Sequence, residues 1–228
     1  MKINQLMKMH QIVNTYDSNG FSFIGFQTIH RILAFYTKHG HIANNFTALF
    51  HALFASQLAG IHILSTLNKD QSRIYLNHSN IYRLLQCFCS GYFSYDMYYT
   101  LRHREMNVST ILYCYHHLAS IYLLSQDPSI YKANHVMFWA ELSNIPSYFV
   151  YYYLKQPSST YQSIMLKRLR WLQFCLYTFI RFPILTYLTY RTYSRLIREK
   201  RDKTPIHIVF PVYVMGLFWS GNLYKQLT

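Results

Sequence analysis

A chain of 228 residues that is 51% hydrophobic, 18% aromatic and only 13% charged carries about half the charge that a soluble domain spreads over its surface. Its formal net charge of +14 invites a nucleic-acid partner. The cations, however, gather at the ends of apolar blocks, where membrane proteins place them near lipid phosphates, and no nucleic-acid binding is expected.

The first twenty residues form a polar N-terminal segment with no apolar core before a small-residue cleavage site, so no removable signal peptide is expected. A transmembrane domain is expected over residues 21–228. Its first apolar block, 21–36, is short and carries His30 and Arg31. Blocks near the twenty helical residues that cross about 30 Å of hydrocarbon follow at 45–64, 81–101, 108–124, 136–154, 171–190 and 206–224. Breakers separate several of them: "SQDPS" around Pro128, "QPSST" around Pro157 and "DKTP" before Ile206. Block length and the lack of two-residue alternation exclude a membrane β-barrel, and a helix satisfies its own backbone in lipid. The expected fold is all-α: a multi-pass transmembrane helical bundle of six to seven spans.

With seven spans, twelve cations fall on the side of Lys2, Lys8, Lys69, Arg73, Arg83, Lys132 and the run from Arg191 to Lys203. Eight fall on the side of Lys38, Arg102, Arg104, Lys155, Lys167, Arg168, Arg170 and Lys225, which favours a cytoplasmic N-terminus. Cys87, Cys89, Cys114 and Cys175 all lie within apolar blocks, at no spacing that suits a zinc site or a disulfide framework, and read as buried thiols.

Ionisable groups at bilayer depth are costly and usually face a bundle interior with a partner. Those expected here are His51, His62, Asp96, His116, His117, Glu141 and Arg181. Helical phase sorts them into stripes. His51 and His62, eleven apart, share a face; so do Cys89, Tyr92, Asp96, Tyr99 and His103; so do Asn134, Glu141, Asn144 and Tyr148. Neighbours in a helix point about 100° apart, so one histidine of His116 and His117 faces the middle of the bundle while the other packs at a flank.

Two readings of these groups stand side by side. In the structural one, Arg181 pairs with Glu141 or Asp96, His116 bonds Ser120, His117 bonds Tyr113, and the network fixes helix packing. In the chemical one, an imidazole acts as general base or acyl-accepting nucleophile, with Asp96 or Glu141 as its electrostatic partner. Iron-binding histidine boxes, phosphate-binding glycine loops and nucleophile elbows are absent, and no metal or cofactor is expected.

The stretch "GYFSYDMYYTLRHREMNVSTILYCYHHLASIYLL" at 91–124 resembles the central signature of TLC-domain proteins: an aspartate in one span, a basic loop, then a span with a His-His pair. The likeness extends through "HALFASQLAG" at His51, "AELSNIPSYF" around Glu141, "RFP" at 181–183 and "FWSGNLYK" with Trp219 and Asn222, covering nearly all of the chain after about Phe46. The resemblance implies a multi-pass bundle in endoplasmic-reticulum-type membranes with a role in lipid synthesis, sensing or trafficking, membrane lipids as partners, and acyl-CoA as a donor if it is an enzyme. By this resemblance His116 and His117 match the histidine pair of the acyl-transfer motif and Asp96 the acidic residue before it. Glu141 is a further catalytic candidate, with Arg181, Asn144, His51 and Asn222 as a structural polar network. Ceramide synthases carry a second motif, H-D-x-x-D, where this chain has Ala140, Glu141 and Asn144, which places the resemblance with the non-synthase branch. The alternative function is a non-enzymatic lipid-binding, membrane-composition or trafficking protein.

Overall fold

The computed structural model describes residues 2–67, 72–156 and 160–227, with side chains over 19–67, 80–156 and 163–227. The expected break at Pro157, the cation Lys69 and the side chains of Lys2, Lys8 and Arg73 lie outside the described residues. Within these bounds the chain is all-α, with no strand. The helices are α1 (Lys2–Thr37), α2 (Gly40–Leu67), α3 (Ser72–His103), α4 (Val108–Leu124), the single turn α5 (Pro128–Tyr131), α6 (Ala133–Leu154), α7 (Thr160–Cys175), α8 (Phe182–Arg198) and α9 (Thr204–Lys225). A π-helical stretch, Leu176–Arg181, joins α7 to α8. Each apolar block lies inside one helix or, for 171–190, along the continuous α7–π–α8 rod. By length and composition two of these helices, α2 and α9, are long and apolar enough to cross a membrane.

The helices begin and end where local chemistry requires. Asn107 caps α4, its side-chain oxygen accepting from the Thr110 N–H at 2.9 Å. Asp127 does the same for α5 through Ser129 at 2.8 Å, with Pro128 at the first helical position. Lys132 then takes a left-handed conformation, φ 54°, that turns the chain into α6. Asp202 accepts from the Thr204 N–H at 2.9 Å as α9 starts. The π stretch ends just before Pro183, whose ring would clash with the carbonyl four residues back in a regular α-helix; the wider turn accommodates it.

A single helix, α1, runs from the N-terminal segment through the first apolar block. His30 and Arg31 do not interrupt it: the His30 ring lies against Tyr95 and Tyr99 of α3, at 5.9 and 5.1 Å between centroids.

Packing centres on α2, which lies against α1, α3 and α6. The reason is its buried stripe of small residues, Ala48, Ala52, Ala55 and Ala59, spaced four, three and four. One face without bulk lets neighbouring backbones approach closely. Around it gather Phe26, Leu85, Tyr92, Phe93 and Leu124. Farther along the chain α6 packs on α7, α3 on α4, and α9 on α4, α7 and α8. Long-range bonds tie the links at one end: Tyr82 donates to the Leu124 carbonyl at 2.8 Å, Tyr131 to the Asp202 carbonyl at 2.9 Å and Arg195 to the Ser129 carbonyl at 3.1 Å. The α4–α6 link and the α8–α9 link therefore lie at one end of the bundle, at the level of Tyr82 in α3.

Candidate functional site: a buried Asp96 and His117 cluster

Asp96 sits on the inward face of α3 and is almost wholly buried. A carboxylate in such a place needs donors for its oxygens, and two neighbouring helices supply them. From α2, the Asn44 amide donates to Oδ1 at 3.3 Å. From α4, the Tyr113 hydroxyl donates to Oδ2, and His117 Nε2 lies 3.1 Å from the same oxygen. A second layer holds Asn44 in turn, since the Tyr95 hydroxyl donates to its side-chain oxygen at 2.8 Å. Tyr113 and His117 are four apart on one face of α4, which is why both reach a single carboxylate.

In a neutral ring, a bond from His117 to a carboxylate oxygen places the proton on Nε2, and Nδ1 is then the free lone pair. That Nδ1 is buried and has no hydrogen-bond partner among the described residues. The ring is fixed by packing: it stacks on Phe93 at 5.0 Å and 25° and meets the edge of Tyr113 at 4.5 Å and 79°. An imidazole oriented by a carboxylate through one nitrogen, with its other nitrogen unpaired, is the arrangement by which a histidine serves as a base. Here the nitrogens are exchanged relative to serine hydrolases, where Nδ1 faces the carboxylate.

His116 points elsewhere. Its ring meets Trp219 of α9 edge-on at 5.9 Å, and its buried Nδ1 also has no hydrogen-bond partner among the described residues. One histidine thus enters the polar cluster and the other packs at the flank, as the 100° step between neighbours requires. Ser120 does bond His116, but through the backbone carbonyl, at 2.8 Å.

Beside this cluster lies a second carboxylate. Glu141 Oε2 on α6 is 3.7 Å from His51 Nδ1 on α2, too far for a hydrogen bond. His51 is completely buried, stacked face to face on Tyr92 at 3.9 Å and 11°, and neither ring nitrogen has a hydrogen-bond partner among the described residues. His62, on the same face of α2, does have one: the Asn134 amide nitrogen lies 2.9 Å from its Nδ1.

The expected pairing of Arg181 with Glu141 or Asp96 is not what forms. Arg181 donates to Asn144 Oδ1 at 3.0 Å, packs over the Tyr177 ring at 4.6 Å and makes no ion pair among the described residues. Asn144 is three residues beyond Glu141 on the same face of α6, so the guanidinium meets the amide one turn before it would reach the carboxylate. Asn222 likewise makes no side-chain hydrogen bond to the described residues. It lies two residues past Ser220, about 200° around the helix from the face that meets Thr178. Of the expected stripe on α3, Cys89, Tyr92 and Asp96 are buried, Tyr99 is half-buried and His103 is exposed. Sequence reading missed Asn44 and Tyr95 altogether. The signal for Asn44 was its spacing of seven from His51, two turns along one face.

Among the described residues no three histidine, cysteine, aspartate or glutamate side chains gather as metal ligands. No family model, curated protein or solved structure matches the chain.

Proposed function

We propose that this is a multi-pass integral membrane protein of the TLC type, resident in an endoplasmic-reticulum-type membrane, that modifies lipids by acyl transfer. Asp96 orients His117, and His117 Nδ1 removes the proton from a lipid amine or hydroxyl as that group attacks the carbonyl carbon of an acyl thioester such as acyl-CoA; the C–S bond then breaks, and the departing thiolate takes the proton back from His117 to leave as the thiol. The observation that carries this reading is the His117 and Asp96 pair itself: a buried imidazole held through Nε2 at 3.1 Å with Nδ1 unpaired. Support for the membrane setting comes from the two helices of spanning length and composition and from the outward apolar surface, where Phe21, Phe35, Leu67 and Phe218 are each at least 70% exposed. Such side chains are stable facing acyl tails and costly facing water.

One observation favours a second reading, in which the same residues only hold helices together in a lipid-binding or trafficking protein. Asp96 has donors on both oxygens from within the protein, as a packing carboxylate would. Replacing His117 by Gln and Asp96 by Asn, checking membrane accumulation, and comparing cellular lipids by mass spectrometry separates the two. Acyl transfer requires both variants to accumulate normally while lowering one lipid product by roughly 100-fold or more, the scale of general-base catalysis. Unchanged lipids at normal accumulation remove catalysis and leave the packing role.

A further inference from the structure

An open groove of about 550 Å³ runs between α8 and α9, within the size range of roughly 300–1,000 Å³ that holds small ligands. Its α8 wall is Pro183, Thr186, Tyr187 and Tyr190, spaced three, one and three, hence one helical face. Opposite stand Tyr213, Leu217 and Ser220 of α9, spaced four and three. From Thr178 at its far end to Tyr190 the groove follows the axis for ~18 Å, at ~1.5 Å per residue.

Four of the groove's hydroxyls pair with one another. Thr178 and Ser220 are 2.5 Å apart, and Thr186 and Tyr213 are 2.6 Å apart. Thr186 also donates to the Phe182 carbonyl at 2.8 Å, so the Tyr213 hydroxyl is the donor in that pair. Polar groups satisfied in this way ask little of an occupant, and what remains to be covered is methyl, methylene and ring surface.

The same α8 face continues past the groove to Arg191 and Arg198, eight and fifteen residues beyond Pro183. Arg191 donates to the Tyr187 hydroxyl at 3.0 Å, which holds its guanidinium at the groove mouth. Neither arginine has a carboxylate partner among the described residues, because the nearby Glu199 already pairs with Arg195 at 2.7 Å and Arg201 at 2.9 Å. An apolar channel that ends at the Arg191 guanidinium, with Arg198 two turns further along α8 and also unneutralised among the described residues, is complementary to a molecule with a hydrocarbon tail and an anionic head.

We infer that this groove binds one anionic phospholipid, with an acyl chain along Thr186 and Leu217 and the phosphate between Arg191 and Arg198. The site is separate from the Asp96 cluster: Trp219 faces His116 from one side of α9 while its neighbour Ser220 faces the groove from another. It rests on the membrane part of the reading above and is independent of catalysis.

The test uses the full chain in nanodiscs of equal parts dioleoyl phosphatidylglycerol and dioleoyl phosphatidylcholine. Retained lipid is counted by native mass spectrometry, with helicity checked by circular dichroism. The intact protein retains one phosphatidylglycerol per chain. Replacing Arg191 and Arg198 together by Gln reduces the preference for phosphatidylglycerol roughly tenfold, while Arg195→Gln, whose partner is Glu199, leaves it in place. Thr186→Trp fills the groove and removes retention of both lipids; Leu217→Trp does so from the other wall should the first variant lose helicity. Equal retention of the two lipids by the intact protein overturns the inference, as does undiminished retention in a folded groove-filled variant. A dimer that dissociates in Thr186→Trp without lipid loss overturns it in favour of a second copy as occupant. His117→Gln leaves lipid retention unchanged, so failure here and failure of the acyl-transfer reading remain distinguishable.

Discussion

The Asp96 cluster and the α8–α9 groove handle polar groups in opposite ways. Around Asp96, donors from α2 and α4 converge on a carboxylate of α3, so one side chain ties three helices together. In the groove, hydroxyls pair across two adjacent helices and leave an apolar surface facing outward. Convergent pairing closes an interior and fixes helix positions. Pairwise cancellation does the reverse, freeing a face for something outside the chain. The two regions should accordingly differ in what a lost polar group costs.

The largest effect tests that difference directly. Asp96→Ala strips acceptors from Asn44, Tyr113 and His117 at once in a closed interior. Removing one member of a buried, charge-assisted set costs about 3–5 kcal/mol. Thr186→Val in the groove breaks one hydroxyl pair where its partner Tyr213 retains access to its surroundings, and should cost at most ~1 kcal/mol. Thermal unfolding of both variants in the same detergent measures the contrast, and equal losses would break it.

That contrast was only half legible in the sequence. The apolar blocks placed the helices, because clustering of hydrophobic residues is a local property that survives without tertiary information. The phase of His116 and His117 was legible for the same reason: a fixed angular step divides neighbours between two faces. Partners across helices were not. Arg181 was assigned a carboxylate on charge alone, yet the register of α6 presents Asn144 first. Asn44 lies just outside the block 45–64 and carried no expectation, although it is a donor to Asp96. Tyrosine hid most. Counted as apolar, it lengthened the blocks; its hydroxyls nevertheless make interhelical bonds, Tyr95 to Asn44, Tyr113 to Asp96 and Tyr115 to the Ile208 carbonyl. A tyrosine-rich helix such as α3 or α6 is therefore amphipathic by atom more than by residue, whereas α2 and α9 are both long and apolar enough to span and α4, α7 and α8 are short, at 17, 16 and 17 residues.

Two glycines sharpen the comparison at smaller magnitude. A methyl group added at Gly91 on α3 would lie 2.4 Å from Ser22 Cβ and 2.9 Å from the Phe23 backbone nitrogen, so α1 must move. At Gly216 on α9 the nearest atom is the end of the Phe182 ring at 3.2 Å, which can yield by a few tenths of an ångström. Gly91→Ala is expected to cost about 1–3 kcal/mol by overpacking, and Gly216→Ala less than ~1 kcal/mol, since a helical alanine recovers part of the loss. Unfolding midpoints of the two variants check the order, and a larger loss at Gly216 would show the groove side to be the tighter one.

The smallest effect is electrostatic and lies outside both regions, at the end of α8. The hydrogen bond from Arg195 holds the Glu199 carboxyl below the ordinary glutamate value, and the charges of Arg195 and Arg201 add to it. A carboxyl depressed in the folded state contributes stability above its unfolded value and loses it as pH falls through the lowered folded value. Because the group is exposed, water and salt screen most of this, and the consequence is a displaced titration with little change in unfolding. Carbon-detected NMR of the Glu199 side chain should show its midpoint below that of free glutamate in the intact protein and move it up in Arg195→Met. The same substitution should leave Arg191 and lipid retention in the groove untouched, since Arg191 is held by Tyr187 and not by Glu199. A displaced lipid preference in Arg195→Met would instead mean that the cations of the α8–α9 turn act as one pooled field, and the division between a neutralised pair and a free pair of arginines would fail.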